Sequence, residues 1–140
     1  ILRNFAVDPG EAPLAAHRAA IDRCFSGDSV EDILARLAAE DGDWGRAQIE
    51  TLSTKSPTAL KVTFRQLRLG ARIESIAEIM AMEYRLADRS FRGHDLFEGI
   101  RAVVIDKDGA PKWDPTTLDA VSDADVDEYF VPVAGEPTFG

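Results

Sequence analysis

Two groups of cationic side chains in this sequence have the type and spacing to bind an anion. In the first group, Lys61, Arg65, Arg68 and Arg72 recur every three or four residues, which places them on one side of a helix. Such a stripe could bind an anionic ligand or an acidic partner surface. It could also be a solvated helix face whose charges are balanced by the many carboxylates of the chain. The sequence favours the solvated face.

The second group lies in a turn-rich segment, residues 106–113, which we call the strap. It contains Lys107, Lys112 and Trp113 beside Gly109 and Pro111. A loop lysine next to an aromatic ring can bind a phosphate while the ring stacks on a base. The same residues could instead close a helix and bury a tryptophan. Composition alone leaves both interpretations open.

The other reactive side chains have simpler interpretations. His94 and Asp95 resemble an acid/base pair, but Asp95 is predicted to cap a helix with His94 just outside it. His17 lacks a partner on the matching helix face and is expected to be a surface or half-buried residue, while Cys24 lies on an apolar face and is expected to pack there. The acidic residues of 123–128 lack the spacing of a calcium loop. The sequence predicts no catalytic residue and no metal ligand.

Composition limits the classes of partner. The chain has 140 residues, 45% of them hydrophobic, which suits a globular domain. The 25 acidic and 16 basic residues give a net charge of -9, which disfavours nucleic acid and anionic membranes as partners. A single cysteine, no apolar run long enough to cross a membrane and no signal-peptide pattern predict a cytoplasmic protein. Because the chain begins with Ile1 instead of Met, we expect it to be a piece of a longer protein.

The apolar periodicity predicts an all-α fold of six to seven helices, with an irregular opening segment (1–13), a helical domain (14–130) and an extended tail (131–140). Serines and acidic residues mark the predicted starts. The expected caps are Ser29 with Asp32, Asp43, Ser56 before Pro57, Asp95 with Glu98, and Ser122 with Asp125. Gly93 suits a left-handed helix terminus. Val121 and Val126 are expected to form a hydrophobic staple.

The longest predicted helix, from about Glu74 to Phe91, carries two apolar stripes. The first stripe consists of Ile73, Ile76, Ala77, Met80 and Tyr84, and the second consists of Ile79, Met82 and Leu86. The second widens the apolar sector beyond what a half-exposed helix needs, so this helix is predicted to be covered on two sides.

Several segments resemble a known superfamily. Residues 56–63 (SPTALKVT) resemble a helix start in the C-terminal part of the crotonase (enoyl-CoA hydratase/isomerase) superfamily, and residues 98–102 with Lys107 and 111–113 resemble its closing segment. Residues 82–86, 93–95, 98–108 and 111–113 resemble more specifically the 3-hydroxyisobutyryl-CoA hydrolase branch. The resemblance covers about 53–130, and residues 1–52 fit it only loosely.

Two positions differ from ordinary hydratases of the superfamily. Val103 stands where hydratases carry phenylalanine, and the pair Asp106–Lys107 stands where they carry Lys-Arg. Both differences favour the hydrolase branch. They also weaken the transfer of a coenzyme-contacting lysine onto Lys107.

The resemblance implies a helical C-terminal region whose catalytic groups lie in a preceding spiral domain that this chain lacks. The whole protein would hydrolyse an acyl-CoA thioester in valine breakdown, with coenzyme A as part of the substrate and no other cofactor. The region alone would be inactive, would cover the active site and would contribute to contacts with the spiral domain or with a homo-oligomer partner. Lys107 and Lys112 would lie near the nucleotide end of the coenzyme.

The same resemblance predicts the mitochondrial matrix as the location in a eukaryote. Two alternatives remain open at this point. One is the same region of an enoyl-CoA hydratase or isomerase, and the other is a non-catalytic helical interaction module.

Overall fold

A computed structural model describes Val7 and residues 10–138. It confirms the all-α fold, since these residues form seven α-helices and no strand. The helices are α1 (Arg18–Cys24), α2 (Val30–Ala39), α3 (Asp43–Ser53), α4 (Pro57–Gly70), α5 (Ile76–Arg92), α6 (His94–Ile100) and α7 (Asp123–Glu128). Most of the predicted opening segment, and residues 139–140 of the predicted tail, lie outside the described residues. The predicted division into segment, domain and tail stays a prediction.

The chain divides into two compact units, one ending at Ile49 and the other beginning at Glu50. In the first unit, Cys24, Val30, Ile33 and Leu37 are buried. Helix α3 approaches α2 closely at Gly45, where a Cβ would lie 2.5 Å from the carbonyl oxygen of Leu37. Only glycine fits this contact, because any side chain there would push the backbone of α2 away.

The core of the second unit consists of Val62, Met82, Leu86, Val121 and Val126. The expected staple of Val121 and Val126 is confirmed, since each side chain is only 3% exposed. This core lies where α4 and α5 meet α7 and the turn before it.

The two apolar stripes of α5 differ in burial. Met82 and Leu86 of the second stripe are buried, whereas Ile76, Met80 and Tyr84 of the first stripe are exposed. Both stripes are apolar, so periodicity alone could not choose between them. The selection is made by α4 and by Val121 and Val126, which pack against the second stripe.

The caps with partners three residues away are confirmed. Ser29, Ser56 and Ser122 each accept from the third backbone N–H that follows, at 3.0–3.2 Å. Ser122 and Asp125 form the full reciprocal box. At Ser29 only one bond of the capping box forms, from the Asp32 N–H to the Ser29 hydroxyl. The Asp32 carboxylate accepts from the Asp28 N–H and not from the Ser29 N–H.

The expectations at Gly93 and Asp95 are wrong. Gly93 has φ −86° and ψ 164°, because it ends α5 and caps α6 at once, and an N-cap needs extended backbone. Helix α6 begins at His94, so Asp95 lies inside its first turn and makes no cap. Asp95 instead accepts from the Ser56 hydroxyl at 2.5 Å and from the Asp114 N–H at 2.9 Å.

Helix α6 continues into a π-helical turn, Arg101–Ile105, which leads into the strap. A cis peptide joins Asp114 to Pro115, and a 3-10 turn, Leu118–Ala120, precedes α7. A further 3-10 turn, Ala15–His17, precedes α1. No helix in the described part of the chain has the length and apolar character that crossing a bilayer requires.

Candidate functional site

The strap folds around the guanidinium group of Arg101, at the start of the π-helical turn. Nη1 of Arg101 donates to Asp106 and to Asp108 at 2.7 Å each, and Nη2 donates to the Ala110 carbonyl at 3.2 Å. Its Nε and Nη2 also donate to the two oxygens of Glu98 at 2.9 and 2.8 Å. These partners raise the pKa of Arg101, with Glu98 as the largest cause. One side chain therefore connects α6 with the strap.

Glu98 forms the inner end of this network. It is 9% exposed, and its Oε1 also accepts from the Lys112 N–H at 2.7 Å. The hydrogen bonds from Arg101, and then the bond from Lys112, lower its pKa from 4.5 to about 2. Glu98 therefore stays ionised at neutral pH and is committed to holding the strap.

The two candidate lysines differ in how their backbone is held. Lys107 has φ +56°, and a non-glycine residue in this left-handed region costs about 1–2 kcal/mol. Lys112 has both backbone groups bonded, because its carbonyl also accepts from His94 Nε2 at 3.0 Å. Both residues are exposed. Their predicted role at the nucleotide end of a coenzyme stays a prediction.

Trp113 closes the strap against α6. Its ring lies over Gly99, where a Cβ would come within 3.3 Å of the indole, and its Nε1 donates to the Thr54 carbonyl at 3.1 Å. Asp95 holds the next residue through the Asp114 N–H. Trp113 is therefore half-buried against α6 and closes this helix, and this packing leaves the phosphate-binding interpretation of the strap a prediction.

An apolar groove of about 640 Å³ lies beside the strap, within the second unit. Its walls come mainly from α4, α5 and α6, and its lining also includes Asp95 and Tyr129. Burial, and then the nearby Asp95 carboxylate, raise the pKa of the Tyr129 phenol. The apolar lining includes Ala59, Val62, Leu86, Leu96, Ile100, Val104 and Trp113. The groove has the size and polarity of a site for an apolar chain or side chain.

The basic stripe of α4 binds another part of the same unit. Lys61 Nζ donates to the Val121 carbonyl at 3.0 Å, and Arg65 Nη1 lies 2.6 Å from the Asp127 carboxylate. The guanidinium carbon of Arg68 lies 5.0 Å above the centre of the Phe64 ring. The balancing carboxylate is thus confirmed for Arg65, and half-buried Lys61 binds a backbone carbonyl.

The remaining candidates form no reaction centre. His94 is bonded to the strap and His17 stacks on Trp44 at 5.3 Å, half-buried as expected. Cys24 is 1% exposed, which confirms the packing role, and burial raises the pKa of its thiol, with the nearby Glu40 as a further cause. Within the described residues, no group of histidine, cysteine and acidic side chains could hold a metal ion.

Sequence reasoning missed Arg101 as the centre of the strap and assigned Glu98 to a cap. A signal was present, because Glu98 and Arg101 are three residues apart on a helix and Asp106 and Asp108 follow within one turn segment. The π-helical turn, which brings these acids to Arg101, has no sequence pattern that would have predicted it.

Comparison with known proteins supplies the family. The sequence profile described as enoyl-CoA hydratase/isomerase matches residues 1–130. Two similar curated proteins are the mitochondrial 3-hydroxyisobutyryl-CoA hydrolases of Danio rerio and Homo sapiens. The Danio rerio protein is 51% identical over 111 residues, which are 79% of this chain and 29% of that protein. The human protein is 41% identical over 117 residues, which are 84% of this chain and 30% of that protein. The chain therefore spans about a third of the length of these relatives.

Two solved structures are also similar. A carnitinyl-CoA dehydratase from Mycobacterium thermoresistibile has a TM-score of 0.87 and 42% identity, over 94% of this chain and 37% of that one. An enoyl-CoA hydratase from Rhodobacter sphaeroides has a TM-score of 0.81 and 31% identity, over 99% of this chain and 42% of that one. The family profile spans nearly the whole chain, and the resemblance inferred from the motifs of α4, α6 and the strap is confirmed: this chain belongs to the enoyl-CoA hydratase/isomerase family.

Proposed function

We propose that this chain is the helical C-terminal region of an acyl-CoA thioester hydrolase that resembles 3-hydroxyisobutyryl-CoA hydrolase. The observation that carries the proposal is the 51% identity over 111 residues to a relative of that name. The whole protein would add water to the thioester of a short hydroxyacyl-CoA. The thioester C–S bond breaks, the acid forms, and coenzyme A leaves as a free thiol. In a eukaryote the protein would act in mitochondria, as the names of its relatives state for them.

Within this reaction the chain would be a lid and contact region without catalytic groups of its own. Its buried or half-buried carboxylates support this assignment, because Glu98 is bonded to Arg101 and Asp95 to Ser56. A general acid or base must instead be able to reach the reacting atoms. An oxyanion hole and the catalytic acid would come from the part of the protein outside this chain.

Exposed apolar side chains support the contact role. Leu67 on α4 and Ile76 on α5 are 68% and 78% exposed, and the consecutive residues 103–105 are between 61% and 69% exposed. Free monomers rarely expose contiguous apolar patches of more than a few hundred Å². These surfaces would be covered by the remainder of the protein or by a second copy of it.

Release of free thiol from 3-hydroxyisobutyryl-CoA tests the reaction in the full-length protein, with the isolated chain as the matched control. We expect thiol release from the full-length protein and none from the chain. Equal rates per mole from both would overturn the lid assignment. A full-length protein that releases no thiol would overturn the hydrolase assignment.

The second candidate function is hydration or isomerisation of an enoyl-CoA. It is favoured by the carnitinyl-CoA dehydratase and enoyl-CoA hydratase structures that the chain resembles. Hydration consumes the carbon–carbon double bond and leaves the thioester intact. Isomerisation moves the double bond and also leaves the thioester intact. An enoyl-CoA substrate whose double bond is lost or moved without release of thiol would therefore identify this alternative.

A non-catalytic helical interaction module makes a different prediction. Such a module would be a monodisperse monomer with little exposed apolar surface. Binding of an apolar fluorescent dye by the isolated chain, lost in the full-length protein, would support the lid. Absence of dye binding in a folded monomer would support the module.

A further inference from the structure

Arg101 is connected by hydrogen bonds to every second residue of the strap, from residue 106 to residue 112. It binds the side chains of Asp106 and Asp108 and the carbonyl of Ala110, and it reaches the N–H of Lys112 through Glu98. The strap has no regular backbone hydrogen bonding of its own over these residues. A backbone bond, from the Gly109 N–H to the Ala102 carbonyl at 3.0 Å, also holds it. The guanidinium group of Arg101 makes the largest number of side-chain bonds to the strap, because its planar fork of donors fits several acceptors at fixed angles.

The same contacts set the backbone at the two lysines. Lys107 lies between Asp106 and Asp108, both bonded to Arg101, and these neighbours hold it in the left-handed conformation. Lys112 is held at its N–H by Glu98 and at its carbonyl by His94. Strained backbone of this kind persists only where surrounding contacts impose it.

Arg101 also keeps the lysine charges available. Asp106 and Asp108 are the carboxylates nearest to Lys107 in sequence, and both are bonded to Arg101. Among the described residues, no ion pair involves Lys107 or Lys112. Two exposed cations without a carboxylate partner in that part of the chain are accessible to an external anion such as a phosphate group.

We propose that Arg101 is a positioning residue for coenzyme A. It does not touch the coenzyme, but it holds the strap so that Lys107 and Lys112 bind the phosphate groups at its nucleotide end. This inference rests on the proposed function and on the place near the nucleotide end of the coenzyme that the family resemblance implies for the two lysines.

A pair of substrates tests the inference in the full-length protein. 3-Hydroxyisobutyryl-CoA carries the nucleotide phosphates, whereas the pantetheine thioester of the same acid lacks them. We expect Arg101→Ala to raise KM for the coenzyme A thioester about ten-fold, as loss of a charge-assisted contact would, with kcat within two-fold. KM for the pantetheine thioester should not change.

Two further variants separate positioning from a merely structural role. In a Lys107→Ala/Lys112→Ala background, Arg101→Ala should raise KM no further, because it acts through these lysines. Arg92→Ala is the matched control, since Arg92 is an exposed arginine whose ion pair is with Asp88 on α5 and not with a residue of the strap. It should leave both KM values unchanged. If Arg101→Ala loses its cooperative unfolding transition, Arg101→Lys, which keeps the charge and loses the fork, takes its place.

Some outcomes would overturn the inference. If Arg101→Ala raises KM equally for both substrates, Arg101 has a structural role only. If the lysine variants leave KM for the coenzyme A thioester unchanged, the strap does not bind the coenzyme. Calorimetric titration with coenzyme A alone separates this failure from failure of the proposed function. A protein that hydrolyses no thioester but binds coenzyme A in an Arg101-dependent way would overturn only the proposed function. A protein that binds no coenzyme A would overturn both.

Discussion

Helix α4 and the strap both carry cations on an acidic chain, but their surroundings use these cations differently. On α4, Lys61 and Arg65 bind a carbonyl and a carboxylate at either end of α7. In the strap, the carboxylates that could pair with Lys107 are bonded to Arg101 instead. The comparison shows that acceptors within reach decide whether a cation supports the fold or remains accessible to a ligand. The pattern of charges along the sequence does not decide it.

The two regions also differ in what holds their backbone. Helix α4 is a regular helix of 14 residues, whereas the strap is held by side chains from α6 and the π-helical turn. Substitutions on α4 should therefore change stability, and substitutions at the strap should change the docking of a loop. The predictions below test this division, beginning with the largest expected effect.

The largest effect is expected from protonation of Glu98. Because its folded pKa is about 2 and its ordinary value is 4.5, the stabilisation by ionised Glu98 is fully present above pH 4.5 and is lost as the pH falls toward 2. The strap should undock over this range. The Lys112 N–H, which donates to Glu98, should lose its protection from hydrogen exchange after correction for intrinsic rates.

Glu98→Gln supplies the control for this pH effect. The amide keeps the shape but not the charge, so we expect weak protection of the Lys112 N–H at pH 7 and a smaller further loss down to pH 2.5 than in the wild type. The remaining loss would come from Asp108, whose pKa is lowered by Arg101 and which is protonated at low pH. The Val126 N–H of α7 serves as the reference in both proteins. Strap protection in the wild type that stays constant across the range would contradict the assignment of Glu98 as its anchor.

On α4, Lys61→Ala should lower the free energy of unfolding by about 1 kcal/mol, the usual contribution of one partly exposed hydrogen bond. The reason is the loss of the donor to the Val121 carbonyl, which leads into α7. Urea unfolding of the full-length protein measures the change. Lys61→Met separates the donor from the packing of the alkyl stem, because methionine keeps the stem. A loss in Lys61→Ala that Lys61→Met restores would indicate packing instead.

The elements that could be predicted from sequence are those whose partners are near in the chain. Ser29, Ser56 and Ser122 are caps because each accepts from a backbone N–H three residues later, and the spacing is visible in the sequence. Asp95 has the same spacing to Glu98, but its partners are Ser56, 39 residues away, and Asp114. A local rule could not anticipate a competitor at that distance.

The two faces of α5 show the same limit. Its length and both apolar stripes could be predicted, but the buried stripe, with Met82 and Leu86, is selected by packing with residues 121 and 126. At the strap, the lysines could be identified from their types, whereas the role of Arg101 depends on the π-helical turn. Propensity fixes where helices begin, and tertiary packing fixes which side each one buries.

Lys107→Gly should raise the free energy of unfolding, whereas Lys61→Ala should lower it. Glycine adopts φ +56° without strain, and after its greater freedom in the unfolded chain is subtracted we expect a gain of about 0.5 kcal/mol. The same substitution should raise KM for the coenzyme A thioester. Lys107→Ala is the control, because it removes the charge and keeps the strain. A glycine variant that is less stable than the alanine variant would show that the strap does not hold a strained lysine.

The smallest effect is expected at Arg65 and Asp127, whose side chains are 37% and 60% exposed. A double-mutant cycle with Arg65→Ala and Asp127→Ala should give a coupling energy of about 0.3 kcal/mol, which 1 M salt should abolish. Such a value would mean that α7 is held chiefly by contacts other than this ion pair, such as the packing of Val121 and Val126. A coupling above about 1 kcal/mol, insensitive to salt, would contradict this prediction. It would mean that the ion pair with Asp127 fixes Arg65 on α4 as firmly as the ion pairs with Asp106 and Asp108 fix Arg101 at the strap.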